Sequence, residues 1–450
     1  MPDNRTIINP SESRYRVALR VFKLALPVIL SNLLYTVENA FSIILVSGLS
    51  ATAVAAVGYS VNMLWFIYSL MALAYTGTTV MVAQRVGAKK DPSPALLWGL
   101  IISLLIALPL TFWGEELVSY LMLKFGASRE VSILAEEYLR PIFLFITVGF
   151  VTNTLYAGYN GYGDTKTPFK VALLMNVVNI SSAYVLIYGK FGFPRLEVAG
   201  AGWGVALSEV VGLLFYVYLY IRHKKPFPVN FRLSGDVLLQ MLRIGTPSAL
   251  ERGITSLSFN IFVGLVAQFG DKVLAAHQVG LRVESISFMI GFGMMIASTT
   301  LSGQNYGARN FKGLDYGIRI SAHTTAFIMG FIGLFLILFP ETFSLIFTKD
   351  REVINYAVYY LVIVALSQPQ MAYASIFSGS LKGMGKTHIP LMVNLLSFWL
   401  FRIIPSFILL KVFPNPIVPW IFMSLETTAR AVIFYWVYRK EINKHLHKLD

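Results

Sequence analysis

Apolar runs of membrane-crossing length, separated by short polar turns, recur along the chain from about residue 24 onward. A spanning helix needs about 20 predominantly apolar residues. The pattern predicts twelve such helices, near 24–46, 54–84, 96–122, 133–159, 169–189, 198–221, 243–268, 275–303, 319–347, 354–380, 389–411 and 416–438. Gly and Pro mark the turns between them. Pro27, Pro141 and Pro247 fall inside predicted helices, which membrane helices tolerate when neighbouring helices satisfy the freed backbone groups. The polar, basic stretch from His223 to Arg243 parts the first six helices from the last six. The expected organisation is a six-helix bundle over 1–222, a linker over 223–242, and a second six-helix bundle over 243–450.

The two halves repeat each other. Pro27, Ala55, Ala56, Thr79, Gln84, Gly87 and Ala88 match Pro247, Ala275, Ala276, Thr299, Gln304, Gly307 and Ala308, all at a spacing of 220. Gly161, Gly163, Thr165 and Pro168 match Gly383, Gly385, Thr387 and Pro390 at 222. Six helices per copy is an even number, so the second copy enters the membrane in the same sense as the first. The expected fold is all-α, with two parallel repeats around a central cleft, an arrangement suited to alternating access.

Charge refines this picture. Charged residues are 13% of the chain, against roughly 25% in an ordinary soluble domain. The net charge of +14 would suggest nucleic acid in a soluble protein. Here the Lys and Arg segregate to one side: 24 lie on the side of the N-terminus, including Arg5, Lys224, Lys225 and Lys448, and 8 on the other. The positive-inside rule then puts both termini in the cytoplasm of a multi-pass cell-membrane protein. The basic N-terminus lacks a signal-peptide pattern, so the first span is expected to remain as a helix. There is no Cys, hence no thiolate chemistry or Cys-bound metal.

"ATAVAAVGYS" followed by "GTTVMVAQRVGA", with "RIGTPSALERG", "YNGYGDTKTP" and "LKGMGKTHIP", resembles the signatures of multidrug and toxic compound extrusion (MATE) transporters. The resemblance covers about residues 20–440 and is nearest to the prokaryotic DinF-like branch. It implies an exporter that moves amphipathic, often cationic compounds outward against entry of H+ or Na+, as a monomer and with no other cofactor. The chain departs from that branch at two places. Where the branch carries first-half aspartates, alignment puts Ser42 and Ala183.

A charge in mid-membrane costs roughly 2.5–3.5 kcal/mol on insertion scales, so each asks for a reason. Glu38 sits midway along the first helix with no Lys or Arg within two turns, and one turn before Ser42. It is the leading candidate for ion coupling and for holding a cationic substrate. Tyr35, Asn39, Asn153, Asn176 and Asn179 are the polar set expected around it, with Asn176 and Asn179 on one helix face. By resemblance, Tyr35, Asn153 and Asn179 fall at or near positions that line the drug cavity. Such amides also serve simply to hold membrane helices together.

In the second half, Glu251 follows Pro247 by four residues and is a second coupling candidate, with a structural pair to Arg252 or Arg243 as the rival role. Glu284 has two readings, a latch with Arg402 or direct coupling. Glu426 and Arg430, at i,i+4, read as a structural pair, and Pro27 as a bend in the first helix. Arg252 and Arg282 join Arg402 and Arg430 as buried basic candidates, while Glu209 is a weaker acidic one. His277 and His323 read as structural, and "GAGWG" at 200–204 as a helix-packing pattern. No metal cluster, phosphate loop or nucleophile–base pair appears, which argues against an enzyme. The rival function is a lipid-linked oligosaccharide flippase of the same superfamily. Its anionic substrate would call for a basic rather than an acidic first-half cavity.

Overall fold

The computed structural model describes residues 6–223, 226–228 and 232–447, and they contain no strand. Arg5, Lys224, Lys225 and Lys448 of the charge count lie outside them. The first repeat comprises α1 (Arg14–Ser47), α2 (Ala51–Tyr68), α3 (Met71–Gly87), α4 (Ser93–Lys124), α5 (Arg129–Leu144), α6 (Ile146–Tyr162), α7 (Lys166–Tyr188) and α8 (Val198–His223). The second comprises α9 (Gly235–Ala267), α10 (Asp271–Gly307), α11 (Phe311–Leu338), α12 (Pro340–Leu345), α13 (Arg351–Ala365) and α14 (Gln368–Gly383). It ends with α15 (His388–Ser397), a π-helical turn at Phe398–Ile403, α16 (Ile404–Val412) and α17 (Ile417–Leu446). By length and composition ten helices can cross a membrane, and twelve if each bent pair is one span.

Several predicted helices are broken. The second parts into α2 and α3 at Ser69–Leu70, and the ninth into α11 and α12 at Phe339. The fourth bends by 56° between α5 and α6, and the tenth by 53° between α13 and α14. Pro141 and Pro369 lie near those bends, each removing one backbone donor from the helical ladder. The seventh helix starts at Gly235, so the expected linker already becomes helical inside 223–242.

The chain packs as two compact units, and their limits differ from the expected 1–222 and 243–450. One unit is Leu30–Val82 with Asp91–Ala249; the other is Met1–Ile29, Ala83–Lys90 and Leu250–Asp450. The start of each repeat's first helix therefore belongs to the other repeat's unit, and the change comes two residues after Pro27 and after Pro247. Close packing explains it. A Cβ at Gly245 would lie 2.2 Å from the Leu73 carbonyl oxygen, and one at Gly293 would lie 3.0 Å from the Ile29 nitrogen.

The duplication is also visible in the packing. Gly161 rests on the carbonyl of Thr79, and its counterpart Gly383 on that of Thr299; a Cβ at either glycine would come within 2.4 Å of that oxygen. Thr79 Oγ1 donates to Ala157 O (3.3 Å), and Thr299 Oγ1 to Gly379 O (3.0 Å). Such small-residue contacts let membrane helices approach to backbone distance. Within the unit holding both segments, Gly87 meets Gln304 and Gly307 meets Gln84 reciprocally, with Cβ positions that would fall 1.9 and 2.0 Å from the carbonyl oxygens.

Candidate functional site

In the first-repeat unit, α1 and α7 bring Glu38 against two buried amides. Asn176 Nδ2 donates to Glu38 Oε2 at 3.0 Å and to the Leu34 carbonyl at 2.9 Å, while Asn179 Nδ2 donates to Oε1. The i,i+3 spacing of the two Asn residues thus puts both on one carboxylate, as their shared face predicts. The GAGWG segment of α8 makes this possible. A Cβ at Gly204 would lie 2.8 Å from Asn179 Oδ1, and one at Gly202 would lie 2.1 Å from the Tyr138 carbonyl oxygen. Small residues there let α8 close on α7 and α5.

No Lys or Arg among the described residues pairs with Glu38. Its surroundings are phenols, amides and one more acid. Tyr68, Tyr138 and Glu209 lie within electrostatic reach of Glu38. Glu209, on α8, hydrogen-bonds Thr152, and Gly149 leaves it room: a Cβ there would touch its carboxyl carbon at 3.4 Å. Glu209 is a weaker candidate from the sequence because 171 positions separate it from Glu38. The missing i+4 base was the available signal.

Of the remaining polar set, Tyr35 packs edge-on against Trp65 with centroids 6.0 Å apart. Asn39 and Asn153 are half-buried and form no hydrogen bond to Glu38 among the described residues. Ser42 is half-buried and Ala183 buried, and the carboxylates that face each other in this unit are Glu38 and Glu209.

The second-repeat unit treats its acids differently. Glu251 pairs with Lys382 (3.0 Å) and accepts from Asn394 Nδ2 (2.6 Å). Arg252 and Arg243, the expected partners, are both exposed, as is Arg282. Lys382 lies in the last turn of α14, which runs on to Gly383 and holds it in the packed structure. Glu284 accepts from Tyr360 Oη (2.7 Å) and Gln368 Nε2 (3.2 Å), not from Arg402. Arg402 instead binds the fully buried Glu426 at 2.5 Å, and Arg430 reaches the other oxygen at 3.3 Å. The predicted Glu426–Arg430 pair thus becomes a triad. Arg402 sits on the π-helical turn, which points its guanidinium over Phe398 at 4.3 Å. Pro405, just beyond, withholds the N–H that would bond Phe401 and so favours the wider turn. His277 accepts from Trp420 Nε1 at 3.1 Å, and His323 bonds the Tyr373 hydroxyl at 2.8 Å.

An all-helical, duplicated chain with ten to twelve candidate spans and carboxylates inside them has the architecture of a membrane transporter. The MatE family model matches residues 27–185 and 247–408, beginning in each copy at the equivalent proline. The chain belongs to this family, whose members are transporters and not enzymes, and it is a multi-pass membrane protein. It is 29% identical over 438 residues to "Probable multidrug resistance protein NorM" of Thermotoga maritima, covering 94% of this chain and 92% of that one. A crystal structure of "MATE in the straight conformation" aligns with a TM-score of 0.90 at 21% identity, covering 99% and 98%. A MOP superfamily transporter from Pyrococcus furiosus, described as having a binding pocket of reverse polarity, aligns with a TM-score of 0.88 at 22% identity, covering 98% of each chain.

Proposed function

We propose that this transporter is a secondary-active exporter of amphipathic, often cationic compounds, working in the cell membrane as a monomer with both termini cytoplasmic. Inward movement of H+ drives it, with Glu38 as the coupling group and Glu209 as its neighbouring acid. The observation that carries this reading is a carboxylate held in a span by two amide N–H groups and no cation. An uncompensated charge in that medium is costly, so it is matched by a proton or by a positively charged substrate, but not by both. Ion and drug then prefer different states of one group, which is all that reciprocal coupling requires.

Two details support H+ over Na+. Both Glu38 oxygens accept from N–H groups, which cannot ligate Na+. Asn179 Oδ1 is buried and unpartnered, so a half-turn of that amide would present an acceptor to a protonated Glu38. The acidic, amide-lined character of the site fits organic cations and suits an anionic lipid-linked sugar poorly. In this scheme the α1 helix bends near Pro27 as the charge is neutralised.

The test is ethidium efflux from proteoliposomes under a pH gradient alone and a Na+ gradient alone, for the native chain, Glu38→Gln and Glu251→Gln. Efflux driven by pH, lost in Glu38→Gln and retained in Glu251→Gln, is the expected result. Efflux surviving Glu38→Gln would move coupling to Glu251 or Glu284, and efflux driven only by Na+ would overturn the proton reading.

A further inference from the structure

Where α3 and α10 end, the reciprocal Gly87–Gly307 crossing leaves a crevice of about 440 Å³. Its rim carries Lys89, Lys90 and Arg309. None of the three is in an ion pair among the described residues, and Lys89, Lys90 and Arg309 are exposed. Lys89 and Arg309 are related by the 220-residue repeat, and both stand in the left-handed region with φ of 56°. That position after a helix favours Gly, because a Cβ is strained there. Both copies of the repeat nevertheless place a long basic side chain on it. The equivalent turns after α6 and α14 follow the usual rule, with Gly163 (φ 94°) and Gly385 (φ 79°).

The turns that hold these cations are pinned. Lys90 N donates to Arg85 O (2.8 Å), and Asn310 N to Asn305 O (2.9 Å). Asp91, next to Lys90, accepts from Ser93 N at 2.9 Å, while Asn310, next to Arg309, caps α11 by accepting from Gly313 N (3.1 Å) and donates to Ile8 O (2.7 Å). Two helix C-termini point into the crevice and carry about half a negative charge each, which offsets only part of three full positive charges. Strained residues kept in place by their surroundings point toward a function.

We infer that this crevice binds a phosphate group, with Arg309 as a forked donor to its oxygens and Lys89 and Lys90 as flanking charges. It lies where α3 and the candidate span α10 both end, so an anionic phospholipid headgroup is the first source to test, with a free phosphate as the other.

The experiment is thermal unfolding of the detergent-purified chain with phosphatidylglycerol, with phosphatidylcholine, or with inorganic phosphate against chloride at equal ionic strength. The variant is Lys89→Gly/Lys90→Gln/Arg309→Gly; Lys166→Gln/Lys386→Gln serves as a basic-loop control. The native chain and the control should gain about 3 °C or more from phosphatidylglycerol over phosphatidylcholine. The triple variant should lose that gain while unfolding no earlier than the native chain without lipid, because Gly relieves both strained turns. A full gain from inorganic phosphate alone would support the site and assign it to a free phosphate. An equal lipid response in native and triple variant, or no response to either phosphate source in the native chain, would overturn the inference. Lys90→Gln alone, which leaves the backbone untouched, should lose part of the response.

Discussion

The two repeat units use one scaffold but differ in the partners of their buried acids: Glu426 and Glu251 of the second have cations, Glu284 does not, and in the first neither Glu38 nor Glu209 has one among the described residues. In the second, Glu426 has two guanidinium partners, Glu251 has Lys382, and Glu284 accepts from a phenol and an amide. In the first, Glu38 has only amide donors, and Glu209 a hydroxyl. The duplication reproduces the backbone contacts, as at Gly161 and Gly383, without reproducing the charges. A neutralised acid holds helices together. An uncompensated one is available to exchange a proton for a cation. The contrast says where substitutions should hurt the fold and where they should hurt transport.

The largest stability effect should come from Glu426→Ala, which leaves Arg402 buried without its partner and should cost about 3–5 kcal/mol, read as lower yield and melting temperature. The double substitution Arg402→Met/Glu426→Leu should recover most of that loss; if it does not, the triad does more than neutralise charge. Next comes Gly87→Val or Gly307→Val, each forcing a side chain into opposing backbone and costing about 1–3 kcal/mol. The two should match, and a large inequality would break the equivalence of the copies. Glu38→Gln should sit well below both, within about 1 kcal/mol of native stability, because Asn176 and Asn179 can still bond the amide. Its transport, however, should fall to background. The smallest effect belongs to Asp350→Asn. Lys272 and the backbone N–H groups of Val353 and Glu352 hold the Asp350 carboxyl below its ordinary value. Its contribution is present at neutral pH and lost as pH falls through that depressed value. The native and Asp350→Asn melting temperatures should differ little at pH 7 and converge in acid.

The succession of apolar spans and the duplication are legible in the sequence because they rest on local composition and a fixed 220-residue spacing. That Asn176 and Asn179 share a face follows from helix geometry alone, and the pairing of Glu426 with Arg430 likewise. What escapes are partners supplied by distant helices. Lys382 lies 131 residues from Glu251, and only the extension of α14 to Gly383 reveals it. Arg402 had two acids to choose between, and the π-helical turn decides for Glu426. The exchange of helix starts between units is equally hidden, since Gly245 and Gly293 look like any other membrane glycines until the opposing backbone is placed.

The most direct test of an acid that trades its proton for a cation is to count protons. Ethidium added to the purified chain in weakly buffered solution, with pH followed by a dye, should release protons from the native protein and from Glu251→Gln, and none from Glu38→Gln. Equal release from Glu38→Gln and the native chain, or no release from the native chain despite binding, would contradict the account.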